Sequence, residues 1–475
     1  MYSNIQLFIL GFGFFFFPLI CACSHDSPVP DDDNHSTQIQ TTQTNNSSLP
    51  PPAYDITRVC TDTKDSIYET PLDLPPMENS LKGQIVGCYE DKTVSANDAS
   101  QILSLLTVAD TTTSHSATRY VISYRTYRAP GVPGIGTAQV YIPETLPHTP
   151  SPLIVIAHGT VGLADACAPS ITEGIQTMIL PFANNGYPVI APDYAGMGNA
   201  GIQGYSDPKD TGFSVLDAAR ALRSLLPAYY LSEDIYIIGH SQGGGACYQA
   251  LANEPTYGIG GTLKAIIPIA GKYQYDDEIP IYPYKYPSLI PVDGGTFTTV
   301  LMAYAFGYNQ LGPGHELDLF ASDKRTAIQD LITQKCVYGI QAALPSIANT
   351  YAELLDPTFL NSVVNCLEGS TCTDPGATYT NWMQAKYIPF TNTTVDVLVV
   401  QGMNDTRCTP TNQACVVQAV QSQGITPTLW LEESADHTTI VTQKIGLIRD
   451  WVQAHHQGNT LPNGHDGVST LPACN

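Results

Sequence analysis

From residue 120 onward the chain repeats one pattern, a short apolar or β-branched run followed by a longer stretch of mixed polarity. The runs "YVISYRTY" from Tyr120 and "TAQVYIP" from Thr137 alternate in the manner of a half-solvated hairpin. Six more follow: "PLIVIA" from Pro152, "YPVIAPD" from Tyr187, "DIYIIG" from Asp234, "KAIIPIAG" from Lys264, "VDVLVVQG" from Val395 and "PTLWLEE" from Pro427. The middle runs are continuously apolar, as expected of strands covered on both faces. Helices are predicted between and after them, over 173–184, 212–225, 242–252 and 439–455. Strands alternating with helices predict a mostly parallel sheet flanked by helices on both sides, preceded by an antiparallel pair.

The alternation stops over 272–392, which opens as "KYQYDDEIPIYPYKYPS" and then turns largely helical. That length exceeds a connecting loop. An insertion at this point is expected to form a cap over the carboxyl edge of the sheet, where ligands bind in open α/β folds. The first part of the main domain then spans 59–271 with its N-terminal extension, the second part 393–460, and a tail 461–475.

The ends of the chain carry signals of their own. The apolar stretch from Leu7 to Ile20 is shorter than the about 20 residues that cross a bilayer as a helix, and residues 1–22 read as a signal peptide. It closes on Ile20-Cys21-Ala22-Cys23, which resembles a bacterial lipobox, with Cys23 the first choice for a lipidated anchor and Cys21 the alternative. No Lys or Arg precedes the apolar stretch, so ordinary secretion stays open beside a cell-envelope lipoprotein. Residues 23–58 are polar and Pro-rich and read as a solvated tether.

Composition narrows the partners. The chain has 475 residues, 43% of them hydrophobic, enough for a sizeable core, and a formal net charge of −23 that repels nucleic acid and anionic membrane surfaces. Of 12 cysteines, Cys21 goes with the signal peptide and Cys23 is set aside as the anchor, and the even remainder of ten in an exported chain points to disulfides. Local spacing suggests Cys60 with Cys88, Cys366 with Cys372, and Cys408 with Cys415. No Cys-x-x-Cys or His-x-x-x-His spacing suggests a metal.

The stretch "IIGHSQGGG", residues 237–245, places Ser241 between Gly239 and Gly243. The Gly-x-Ser-x-Gly pattern alone arises by chance in about one chain in five of this length, so its context decides. Here an apolar strand runs straight into the turn and a helix leaves it, which makes Ser241 a candidate nucleophile on a sharp strand-to-helix turn and the fold an α/β-hydrolase. Side chains at 239 or 243 would collide with neighbouring strands. Of 11 histidines, His437 in "EESADHTTIV" follows the last predicted strand on a loop and is the candidate base. His158 and His240 read as packing residues, and His455 and His456 as a helix C-terminus. Asp405 in "VVQGMNDTRCTP" is the candidate acid, with Asp436 as its rival and Asp193 expected to brace its own loop. The order Ser, Asp, His is the one this fold uses. An oxyanion hole is expected from the backbone N–H of Gln242 and an N–H of "AHGTVG", from Thr160 or else Gly159.

Together "AHGTVGLADACAPS", "GYPVIAPDYAGMG", "GHSQGGGA" and the pair "GMNDTRCTP" and "ADHT" resemble the secretory lipase family, the lipase-A-like branch of the α/β-hydrolases, from about Arg119 to the final helix. The resemblance implies an esterase or triacylglycerol lipase that cleaves carboxylic esters through an acyl-enzyme, with a cap inserted before the acid; no cofactor is expected for this chemistry, and short to medium acyl chains of ester or lipid substrates are expected to be preferred. Its triad falls on Ser241, Asp405 and His437. The Tyr- and Pro-rich cap and the long polar N-terminal segment depart from the family's pattern. A peptidase or aryl-esterase on the same scaffold is the rival within enzymes, and a surface binding protein on a decayed hydrolase the rival outside them.

Overall fold

A computed structural model describes residues 60–71, 74–129, 131–145, 149–273, 279–465 and 470–474. The expected signal peptide, tether and Cys23 lie outside the described residues. Among the described residues nine strands form one sheet in the order β1-β2-β3-β5-β4-β6-β7-β8-β9. They are β1 (Ile85–Val94), β2 (Ala117–Arg128), β3 (Val132–Pro143), β4 (Ser151–Ala157), β5 (Val189–Pro192), β6 (Leu231–His240), β7 (Thr262–Ile269), β8 (Asp396–Gly402) and β9 (Thr428–Glu432). Strands β1 to β3 pair antiparallel and β3 meets β5 antiparallel, whereas β5, β4, β6, β7, β8 and β9 run parallel. Each of the eight expected runs is a strand. The unanticipated β1 is an edge strand, its alternation broken by two register shifts and by Glu90, Asp91 and Lys92. Charges of this kind suit an edge that must not recruit another chain.

The parallel strands are apolar throughout because their two faces feed two cores. Leu153, Val155, Ile235, Ile237, Val397 and Val399 share one cluster with residues of α3 (Pro208–Leu225), α4 (Gln242–Tyr257) and α10 (Pro410–Ser422). Ile154, Ile156, Tyr236, Ile238, Leu398 and Val400 point the other way, toward α1 (Ala96–Leu105), α2 (Gln176–Ala183) and α11 (Thr439–Gln457). Two helix starts differ from expectation for local reasons. Glu173 and Ile175 have φ of 55° and 61°, which delays α2 to Gln176. Asp207 caps the N–H groups of Lys209 and Asp210, and Pro208 opens α3 four residues earlier than its apolar pattern suggests.

Between β7 and β8 the chain forms α5 (Phe297–Phe306), α6 (Arg325–Gln334), α7 (Val337–Ala343), α8 (Pro357–Leu367) and α9 (Gly376–Gln384). These build a third apolar cluster, which takes in Leu163 and Tyr205 from the loops after β4 and β5. Among the described residues there are four disulfides. Cys60–Cys88 and Cys366–Cys372 match the spacing argument. The expected Cys408–Cys415 bond is absent: Cys415 on α10 joins Cys474, and Cys408 is a buried free thiol. Cys408 packs with the α11 side of the sheet while α10 packs on the other, so seven residues of separation do not bring the sulfurs together. Cys167 joins Cys336 across 169 residues, and Cys247 is the second buried free thiol. Such a set of disulfides belongs to an oxidising compartment and is consistent with export.

Candidate active site

Strand β6 ends at His240, and Ser241 turns the chain into α4 with φ 58° and ψ −116°, a conformation that side chains rarely adopt. The turn is possible because its neighbours lack a Cβ: one on Gly243 would lie 1.9 Å from the carbonyl oxygen of Ala157, and one on Gly239 2.1 Å from that of Gly243. The Ser241 N–H donates to Ile269 at 3.0 Å, which fixes the turn to the adjacent strand.

The loops after β8 and β9 are cross-linked to each other. The N–H groups of Met403 and Asn404 donate to the carbonyls of Glu432 and Ala435 at 2.9 and 3.0 Å. Gly402 passes so close that a Cβ there would meet the Ala435 carbonyl oxygen at 2.5 Å. This coupling places Asp405 beneath His437. The imidazole Nε2 lies 2.9 Å from Ser241 Oγ, and its Nδ1 lies 2.7 Å from Asp405 Oδ2. The three side chains that the sequence scatters thus form one hydrogen-bonded line.

Asp405 is held from both sides. Its Oδ1 accepts the N–H groups of Arg407 and Cys408 at 2.8 and 2.9 Å, leaving Oδ2 for the ring. Burial pushes this carboxyl up, but the hydrogen bond and charge of His437 and the two backbone donors hold it below its ordinary value. It therefore stays ionised. The rival Asp436 turns away and caps α11, accepting from the N–H groups of Thr438 and Thr439, both at 2.8 Å, and the Thr439 hydroxyl at 2.9 Å.

The histidine itself has a support that sequence reasoning missed. His240 Nε2 donates to the backbone carbonyl of His437 at 2.7 Å, and the two rings stand 4.7 Å apart. Burial, then the neighbouring His437 ring, pushes the His240 pKa down to about 4, so it remains a neutral donor near neutral pH. No local sequence signal reveals a side-chain contact to a carbonyl 197 residues away. His158 is a packing residue, bonded to the carbonyls of Gly159 and Asp193 and stacked near Tyr194. Asp193 braces its own loop through Ser170 and Thr137. His455 and His456 close α11 against Asp396 and Asp234.

Gln242 is the first residue of α4, where amide N–H groups have no partner within the helix. Gly159 runs alongside, its would-be Cβ 3.4 Å from Ser241 Cβ. Among the described residues, none accepts the backbone N–H of Gln242 or Thr160. The Thr160 hydroxyl is engaged by Tyr205 at 2.9 Å. A nucleophile, a base that can take its proton, an ionised partner that fixes the base, and an unpaired amide on the residue after the nucleophile make a site suited to attack on a carbonyl carbon.

Comparison with known proteins agrees with this architecture. A family model described as the alpha/beta hydrolase fold matches residues 152–281, which contain Ser241. A second, the prolyl oligopeptidase family, matches residues 363–456, which contain Asp405 and His437. No curated protein matches the sequence. Among solved structures, the rice cell wall degrading esterase LipA of Xanthomonas oryzae superposes with a TM-score of 0.61 at 18% identity, covering 78% of this chain and 98% of that one. A putative hydrolase of Legionella pneumophila gives 0.62 at 17% identity over 80% and 100%. Candida antarctica lipase A in its closed state gives 0.61 at 16% identity over 86% and 90%. Sheet order, nucleophile turn and structural neighbours agree that the chain is an α/β-hydrolase by fold.

Proposed function

We infer that the protein hydrolyses carboxylic esters through an acyl-enzyme on Ser241. The observation that carries this reading is the hydrogen-bonded line from Ser241 Oγ through His437 to Asp405, next to the unpaired amide of Gln242. As Oγ attacks the ester carbonyl carbon, His437 Nε2 takes its proton, and the carbonyl oxygen becomes an oxyanion within reach of the N–H groups of Gln242 and Thr160. Collapse breaks the bond to the alkoxide, which receives the proton from His437 and leaves as the alcohol. Water then attacks the acyl-enzyme, loses a proton to His437, and the acid departs as Ser241 Oγ is reprotonated. Asp405 keeps the ring in the tautomer that accepts from serine and stabilises the imidazolium.

The helical insertion between β7 and β8 acts as the cap that selects the substrate, with short to medium acyl chains preferred over long ones. A series of p-nitrophenyl esters from acetyl to palmitoyl tests this. Turnover is expected to peak at short to medium chains, and a maximum at palmitoyl would reject the chain-length claim. The match to the prolyl oligopeptidase family over 363–456 favours a peptidase as the second reading. Matched ester and p-nitroanilide substrates separate the two, since faster anilide cleavage would select the peptidase.

The exported enzyme is tethered to the cell envelope by a lipid on Cys23. Metabolic labelling with a palmitate analogue is expected to mark the wild type and not Cys23→Ser. Equal labelling of both would remove the anchor from this residue.

A further inference from the structure

The loop after β4, which carries the Thr160 amide, is fastened to the insertion. Four contacts meet there. Cys167 is bonded to Cys336, and Val337 N–H donates to the Val161 carbonyl at 2.8 Å. Gly162, at φ 120°, lets the two backbones approach so closely that a Cβ on it would lie 3.3 Å from both Cys336 Cα and the Lys335 carbonyl oxygen. Leu163 is buried within the insertion's own apolar cluster. Tyr205, buried in the same cluster, holds the Thr160 side chain through its hydroxyl at 2.9 Å.

We propose that the insertion segment around Cys336 and Val337 is a positioning element of the oxyanion hole, acting through the Cys167–Cys336 disulfide and the Val337–Val161 hydrogen bond. A donor placed about 1 Å from where the oxyanion forms loses much of its effect, and loops without regular structure need outside contacts to hold that tolerance. The insertion thus serves the chemical step as well as covering the site. At Cys336 it cannot swing away as a free flap without dragging the loop that bears Thr160.

This proposal rests on the esterase reading of Ser241, and the test separates the two. Cys167→Ala/Cys336→Ala removes the covalent link. Val337→Pro removes the donated hydrogen bond while leaving the disulfide in place: Val337 is the first residue of α7, where proline is tolerated, and the extended backbone of Cys336 suits the position before it. Cys60→Ala/Cys88→Ala, at the edge strand β1, is the control for loss of a disulfide in general. All are assayed with p-nitrophenyl acetate, too small to depend on a cap for binding, at a temperature where circular dichroism shows each variant folded.

The double variant at 167 and 336 is expected to lose about 10- to 100-fold in kcat, and Val337→Pro about 3- to 10-fold, with KM within about twofold of wild type. The control is expected to keep kcat within about twofold while melting earlier. Unchanged kcat in both Val337→Pro and the 167/336 variant, or an equal loss in the control, would overturn the proposal. If Ser241→Ala is as active as wild type in the same assay, the esterase reading itself falls, a result distinct from either.

Discussion

Replacing Ser241 with alanine is expected to lower kcat on a p-nitrophenyl ester by about 10⁶-fold, roughly 8 kcal/mol of transition-state stabilisation. The variant should stay folded. An alanine at φ 58° bears the same backbone strain as the serine, and the Ser241 N–H that anchors the turn on Ile269 belongs to the main chain. The side-chain bonds lost are those to His437 and to the Cys408 thiol. Stability is therefore expected to change by about 0.5 kcal/mol or less, read as the midpoint of thermal unfolding. Because serine and histidine act as a unit, Ser241→Ala/His437→Ala should be hardly slower than Ser241→Ala alone. Additive losses would mean that the two residues do not share one proton transfer.

Asp405→Asn should have the second largest effect, and the backbone around it dictates why. The N–H groups of Arg407 and Cys408 both point at Oδ1, so the amide oxygen of an asparagine must occupy that place. Its NH₂ is then left facing His437 Nδ1. An NH₂ donates where the carboxylate accepted, which moves the imidazole proton to Nε2 and leaves no acceptor for the serine hydroxyl. A loss of about 10⁴-fold in kcat is expected, the scale found when the aspartate of a chymotrypsin-type triad is changed in this way. Asp436 cannot substitute, since three hydrogen bonds commit its carboxylate to the start of α11. A loss of only a few fold on Asp405→Asn, with Asp436→Asn abolishing activity, would reverse the assignment.

The parallel strands were legible because burial on both faces leaves an unbroken apolar run, a signal that survives without knowledge of the partners. Strand β1 was not, since an edge strand with two register shifts and three consecutive charged residues has no such run. Spacing found disulfides that close short local loops but misjudged Cys408. Its fate depends on which face of the sheet α10 packs against, and the bonds Cys167–Cys336 and Cys415–Cys474 join segments brought together only by the fold. In the site, strand ends and chain order singled out Ser241, Asp405 and His437. What holds them left no local mark: the backbone bonds between the β8 and β9 loops, and His240 reaching the carbonyl of His437, are long-range contacts to main-chain atoms.

Mixing the protein with p-nitrophenyl acetate, quenching in acid within milliseconds and mapping the acetyl group by peptide mass spectrometry tests the central claim most directly. The expected result is one acetyl group per chain on Ser241, formed in a burst and absent from Ser241→Ala. Full turnover with no acylated peptide, or an acetyl group on a different residue, would contradict it.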